Sequence, residues 1–335
     1  MSQRNSAPGL FVLSLIALTI TTSAALAQMP PLPPDPSVWV NGGPITAEML
    51  KGKAAFLYYY EEGCPRCRER WPGLLEVAKK FEDKPIVFIA VNSGNQRDDV
   101  ASYAREVNLS WPVIVDANRQ FEKASGVPEI SLQNIYQARI ITADGKLAMA
   151  STANPEESAN RALQGAKWNI DPTGLPAVLV PLWRSLEFGI ASPANGPALK
   201  SALVSKDPSV KAGAEKLNSV VQEKVATELK AAKELYGAGE KWKSYKMVDA
   251  LTVQYVGLDL PEGVAKAKTA LAADEEVKKQ LQAHKELDLL KKRAAKASPA
   301  AMRGLIFKLK ELVEKHAGTE AATEAQQLLG STPSN

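Results

Sequence analysis

Cys64 and Cys67 are the only cysteines of the 335-residue chain, and both lie in the stretch "EEGCPRCRERWP" at 61–72. Two cysteines separated by two residues support four chemistries. Covalent haem attachment needs a histidine directly after the second cysteine, and Arg68 stands there. A zinc site needs about four nitrogen, sulfur or oxygen ligands. The only two histidines, His284 and His316, lie more than two hundred residues downstream. A purely structural disulfide across so short a loop restrains the unfolded chain little, because that stabilisation grows with loop length. The remaining chemistry is thiol–disulfide exchange, in which a thiolate attacks a disulfide sulfur.

The flanking sequence suits that chemistry. "AAFLYYY" at 54–60 is a short run rich in aromatic residues and reads as a buried strand. The cysteine pair follows it and opens a predicted helix. The first sulfur then sits at a helix N-terminus, where free N–H groups and the partial positive charge favour thiolate. Arg66, Arg68 and Arg70 add positive charge nearby. Cys64 is therefore the expected nucleophile and Cys67, one turn into the helix, the residue that resolves the mixed disulfide. Glu61 and Glu62 oppose the effect and are read as solvated. Tyr58, Tyr59 and Tyr60 are read as core packing.

Further strands are predicted at 85–92, 111–116 and 138–144, with helical patterns at 74–82, 98–108 and 118–125 between them. "ADGK" at 143–146 is a hairpin turn signal, and 156–167 reads as a closing helix. Strands alternating with helices argue an α/β domain with a central sheet. After "DPTGLP" at 171–176 the pattern is helical throughout, with long runs at 210–236 and 274–296. At an offset of 61 residues Leu251, Tyr255, Gly257 and Asp259 match Leu312, His316, Gly318 and Glu320, and a more divergent unit starts at Leu186. Stacked helical hairpins similar to tetratricopeptide repeats and an irregular helical bundle both fit. Trp183, Phe188 and Trp242 are expected to anchor packing between units, or to line a groove for a partner. His316 ends a predicted helix, and "KKRAAK" at 291–296 reads as a solvated face.

The N-terminus points to export. Arg4 precedes the apolar run "LFVLSLIALTI", and "ALA" at 25–27 supplies a small-residue cleavage site, so 1–27 is read as a signal peptide cut after Ala27. "QMPPLPPDPS" at 28–37 is half proline and is expected to be an extended spacer. No later segment is long and apolar enough to span a membrane. A net charge of +4, without a basic stripe interleaved with aromatics, does not support nucleic-acid binding.

The stretch "AAFLYYYEEGCPRCRERWPGLLEVAKKF" resembles the active-site strand, motif and first helix of thioredoxin-like proteins, in the exported branch that includes TlpA-like and peroxiredoxin-like (AhpC/TSA-like) members. "WPVIVDANRQFEKASGV" at 111–127 and "IITADGK" are similar to later strands of the same branch. The resemblance covers about 45–165. It implies a thioredoxin fold and exchange through Cys64 and Cys67; Pro65 and Arg66, between them, are read as supporting residues. It matches Pro72 to the proline that commonly kinks the first helix, and it makes Pro128 the candidate for a cis-proline loop, although counting back from "IITADG" brings Tyr136 to that place. The chain departs from the family at Gly63, where Trp is usual, and at Tyr58, where a buried carboxylate is usual. It departs again at Arg70, where many relatives carry Glu, and at Glu61, where peroxidases need Thr.

The expected organisation is a signal peptide (1–27), a Pro-rich linker (28–44), an α/β thioredoxin-like domain (45–168) and an all-α helical-hairpin or bundle domain (169–331). The expected function is exchange of disulfides with extracytoplasmic proteins, with no cofactor and no metal. A redox donor or acceptor protein would be a partner, and the helical domain would recruit another. The alternative is a non-catalytic scaffold whose thioredoxin-like domain is redox-sensing or vestigial.

Overall fold

The computed structural model describes residues 27–331 apart from 132, 295 and 296. The segment read as a signal peptide therefore lies outside the described residues except for Ala27. Seven strands form one sheet: β1 (Ala27–Gln28), β2 (Trp39–Val40), β3 (Ala54–Tyr60), β4 (Ile86–Ser93), β5 (Val113–Asp116), β6 (Gln137–Ile141) and β7 (Lys146–Ala150). Their order is β1-β7-β6-β3-β4-β5-β2. β3, β4 and β5 run parallel, while β6, β7 and both edge strands pair antiparallel. This mixed sheet flanked by helices is a thioredoxin-like arrangement.

The helices of this half are α1 (Ala47–Leu50), α2 (Pro65–Lys79), α3 (Arg97–Glu106), α4 (Gln120–Ala124) and α5 (Pro155–Ala162). The central strands β3 and β4 are buried along their whole length, as expected of parallel strands covered on both faces. Strand alternation sends Phe56, Tyr58 and Tyr60 to one face, against Trp71 and Leu74 of α2, Tyr103 of α3 and Ala159 of α5. Leu57 and Tyr59 go to the other face, with Phe121 of α4. The three tyrosines are core residues, as expected, and all are completely buried.

Two expectations are corrected here. The segment 28–44 is not a free spacer. Leu32 and Trp39 are buried with Ile45 and the sheet residues Leu57 and Ile89, the Trp39 indole donates to the Pro33 carbonyl at 2.9 Å, and β2 adds to the edge of β5. Proline stiffens such a segment but leaves its apolar side chains free to seek a core. Phe188, for its part, does not pack between helical units but joins the sheet-face cluster with Trp39, Ile45 and Tyr59.

The all-helical half comprises α6 (Val180–Glu187), α7 (Asn195–Leu203), α8 (Pro208–Gly237), α9 (Lys241–Gln254), α10 (Glu262–Ala272), α11 (Glu275–Ala294), α12 (Pro299–Lys315) and α13 (Glu320–Ser331). Its main core gathers Leu179, Trp183, Leu217, Val221, Val248 and Leu251, among others. A smaller core joins Leu287 and Leu312 to Ala321 and Ala325. The stretches that match at an offset of 61 both form a helix, a Gly turn and a second helix. Tyr255 and His316 occupy equivalent helix C-caps, and Gly257 and Gly318 follow with φ of 84° and 82°, the left-handed backbone that ends helices most cheaply at glycine.

The two halves are joined by buried chemistry. Lys53, just before β3, donates from Nζ to the Glu187 carbonyl at 2.8 Å and to its Oε1 at 3.0 Å. The same carboxylate accepts the backbone N–H groups of Asn169 and Ile170, each at 2.8 Å. Arg184 reaches the carbonyls of Glu82 and Ile86 and lies over the rings of Trp168 and Phe188.

Candidate functional site

β3 ends at Tyr60, a short turn follows, and Cys64 caps α2. Its backbone is extended, and its Sγ accepts the N–H of Cys67 at 3.2 Å. An acceptor at this position satisfies one of the donors that every helix start leaves open, and a thiolate accepts more strongly than a thiol. Pro65 takes the first helical position, where its missing N–H costs nothing. Pro72 lies inside the same helix, so no N–H at 72 can return to the Arg68 carbonyl.

Both sulfurs are buried. Burial, reinforced by the adjacent Cys64 sulfur, pushes the Cys67 thiol well above its ordinary value. Around them stand aromatics: Trp71 meets Tyr58 and Tyr60 edge-on, with ring centroids 5.2 and 5.0 Å away, and donates to the Tyr103 hydroxyl at 3.1 Å. Burial also raises Tyr58 and Tyr60, so both remain neutral phenols.

The charged rim is more paired than the sequence suggests. Arg66 is exposed. Arg68 makes a two-pronged pair with Glu106 and lies 5.1 Å from the Tyr103 ring centroid. Arg70 lies 4.8 Å from the Tyr136 ring centroid. Glu61 and Glu62 are half-buried rather than freely solvated. Glu61 is held by Arg119, which also bonds Glu122 and the Ile130 carbonyl. Glu62 has a buried Oε2 without a protein partner, and its carboxyl is raised first by desolvation and then by Asp99.

Pro128 is corrected as the cis-proline candidate. The cis peptide among the described residues is Gly43–Pro44, and Pro128 is exposed at the start of a loop closed by Asn134, whose amide donates to the Pro128 and Glu129 carbonyls. Ile135 joins the apolar cluster that contains both cysteines, and Tyr136 is the residue stacked on Arg70. Arg119 and Glu122, which shape this loop, were not singled out from the sequence. Their signal was a charged pair three apart after a strand, which is common in solvated helices. Among the described residues no group of three or more His, Cys, Asp or Glu side chains could hold a metal ion.

Residues 34–150 match the AhpC/TSA family. The chain is 27% identical over 118 residues to the thiol-disulfide oxidoreductase ResA of Bacillus subtilis (strain 168), covering 35% of this chain and 63% of that protein. It is 25% identical over 88 residues to ResA of Halalkalibacterium halodurans, covering 26% of this chain and 50% of that protein. The chain thus spans less than two thirds of the length of these relatives. Among solved structures, a thioredoxin-family thiol:disulfide interchange protein of Chlorobium tepidum is 25% identical, covering 42% of this chain and 99% of its own, with a TM-score of 0.34. A secreted disulfide oxidoreductase of Mycobacterium tuberculosis is 20% identical, covering 41% and 93%, with a TM-score of 0.30. The α/β part of the chain, and not the helical half, is what the AhpC/TSA family matches.

Proposed function

We propose that the protein is a thiol–disulfide oxidoreductase that exchanges disulfides with other extracytoplasmic proteins through Cys64 and Cys67. The observation that carries this reading is the helix cap: Cys64 Sγ accepts the Cys67 N–H at the first turn of α2. A sulfur there faces the open N–H donors and the positive end of the helix. Cys64 attacks the partner's disulfide, releasing one partner sulfur as a thiolate and leaving a mixed disulfide. Cys67, after losing its proton, attacks Cys64 Sγ and frees the second sulfur. The partner gains two electrons and the Cys64–Cys67 pair becomes a disulfide. The reverse sequence oxidises a partner dithiol, and relative thiolate stabilities decide the direction.

The curated relatives support the chemistry, since they are thiol-disulfide oxidoreductases. Export is supported by the N-terminal pattern of charged start, apolar run and A-x-A site. Among the described residues no helix is long and apolar enough to cross a membrane. The helical half is assigned the recruitment of a protein partner, because stacked helical hairpins present extended surfaces. The deciding experiment is disulfide exchange by residues 28–335 beside Cys64→Ser and Cys67→Ser. An active wild type, an inert Cys64→Ser and a mixed disulfide trapped by Cys67→Ser uphold the reading. An inert wild type overturns it.

A further inference from the structure

Helix starts in the α/β half carry acids: Asp98 and Asp99 in α3, Glu122 in α4, Glu156 and Glu157 in α5. The first turn of α2 carries none and holds Arg66 instead, although the positive end of a helix disfavours a cation. Arg66 and Arg70 are four residues apart, so they share a face of α2 and repel each other. Arg68 is relieved by Glu106 at 2.7 Å. Among the described residues neither Arg66 nor Arg70 forms an ion pair, and the exposed Glu69 between them pairs with neither. Arg70 is held by a ring instead: its guanidinium carbon lies 4.8 Å from the Tyr136 centroid. Tyr136 is itself 44% exposed, at the end of the loop that precedes β6. Its neighbour Ile135 is buried in the cluster that contains both cysteines, which fixes Tyr136 at the rim of the dithiol. Two unpaired like charges and an open ring cost stability here with no return inside the chain, and local rules are broken in this way at functional sites.

Cys64 is 2% exposed, so a partner's disulfide has to come close and be held there to be attacked. The way in passes over Gly63, which is exposed and has open space where a side chain would stand. Arg66 flanks that approach, and Arg70 lies about 9 Å beyond Cys64 along the helix axis, at about 1.5 Å per residue. We propose that Arg66, Arg70 and Tyr136 form the recognition surface for a partner whose reactive disulfide is flanked by aspartate or glutamate. Carboxylates beside the partner's cysteines pair with the two free guanidinium groups, whose planar forks suit them. Tyr136 keeps the Arg70 fork in place and offers its open face to the partner chain. The local carboxylates do not cancel this charge. Glu61 is neutralised by Arg119 and Glu106 by Arg68, and Glu69 offsets part of the remainder. The inference rests on the oxidoreductase reading above and adds the class of partner.

A positive rim also favours the Cys64 thiolate, but that speeds attack on every disulfide alike, whereas recognition speeds attack on acidic ones. The test reads the difference. The reduced protein is mixed at pH 7 with three synthetic peptides that close the same disulfide loop, flanked by glutamates, serines or lysines. Each rate is divided by that of 2-mercaptoethanol, a neutral thiol, on the same peptide, which removes the peptide's own reactivity. At low ionic strength the glutamate peptide should react about tenfold or more faster than the lysine peptide, with the serine peptide between them. The preference should shrink toward one in 1 M salt, where the screening length falls to about 3 Å. Arg66→Glu combined with Arg70→Glu should abolish or reverse it, and Tyr136→Ala should reduce it about threefold or more, with circular dichroism confirming the fold of both variants. Equal normalised rates for the wild type, or a preference unchanged in either variant, overturn the proposal while exchange itself stands. A wild type inert toward all three peptides overturns the oxidoreductase reading and this inference together.

Discussion

Cys64 caps the helix that contains Cys67: the Cys67 N–H donates to Cys64 Sγ at 3.2 Å, so one cysteine is stabilised as an acceptor by the backbone of the other. The same arrangement leaves the Cys67 thiol buried and raised by that burial, with the Cys64 sulfur adding to it. The pair is therefore asymmetric before any partner arrives.

That asymmetry sets the order of chemical labelling. In the reduced protein at pH 7, iodoacetamide should modify Cys64 at least about tenfold faster than Cys67. Cys67 should become reactive only at strongly alkaline pH. Peptide mapping after timed alkylation measures both rates, and equal labelling would remove the asymmetry.

Arg119 neutralises Glu61 three residues before Cys64 and holds the loop before β6 through the Ile130 carbonyl. Arg119→Met leaves a carboxylate unpaired beside the sulfurs and strips a bond from the buried Glu122. Alkylation of Cys64 should slow about threefold to tenfold, as a nearby negative charge disfavours thiolate. Stability should fall by about 1–3 kcal/mol. Stopped-flow labelling and urea unfolding read the two effects separately.

The Lys53–Glu187 pair is buried on both sides. Glu187→Gln strands a buried ammonium and weakens the acceptor for the Asn169 and Ile170 N–H groups. The expected loss is about 3–5 kcal/mol. Lys53→Met combined with Glu187→Gln should recover part of it, because no uncompensated charge remains. Chemical denaturation of the four proteins completes the cycle, and strictly additive losses would show that the pair is not coupled.

Glu286 bonds Lys315 at 2.7 Å and His316 at 2.9 Å, and these contacts depress its carboxyl to about 2. A carboxyl lowered by folding contributes stability above its unfolded value and loses it as pH falls through the folded one. Unfolding of α11–α13 should therefore become easier between about pH 4.5 and pH 2. Glu286→Gln should flatten that dependence, which circular dichroism across the acid range would record.

Two glycines should respond in opposite directions. A Cβ at Gly196 would lie 1.6 Å from the Gly257 carbonyl oxygen, a backbone atom that cannot turn aside. Gly196→Ala should cost about 1–3 kcal/mol or more, the range of an overpacked core. Gly304 sits inside α12 with open space around it, so Gly304→Ala should stabilise by roughly 0.5–1 kcal/mol. Melting temperatures of the two variants settle the signs.

Local patterns carried much of this protein. The strand at 54–60 was legible because a run of aromatic and aliphatic residues suits a strand buried on both faces, and the hairpin at 143–146 because "DG" demands its turn. The break to helix near 170 was legible from the loss of strand-forming residues. The cysteine pair at a helix start was legible because its spacing and the strand before it are local facts.

The partners across the fold were not. Glu61 and Glu62 look like ordinary surface carboxylates in the sequence, since charge type says nothing about which atoms come to cover them. Arg119 lies 58 residues from Glu61 and Glu187 lies 134 residues from Lys53. Nothing in either local stretch names the other. Likewise, proline content described the stiffness of 28–44 but not the apolar groove that takes Leu32 and Trp39. By itself the sequence determined the central strands, the order of the two halves and a cysteine pair at a helix start, because these follow from period, composition and spacing. Only the tertiary structure decided which charges are paired and which polar atoms at the strand ends are buried without a partner. Those depend on burial, which arises when distant segments close over one another.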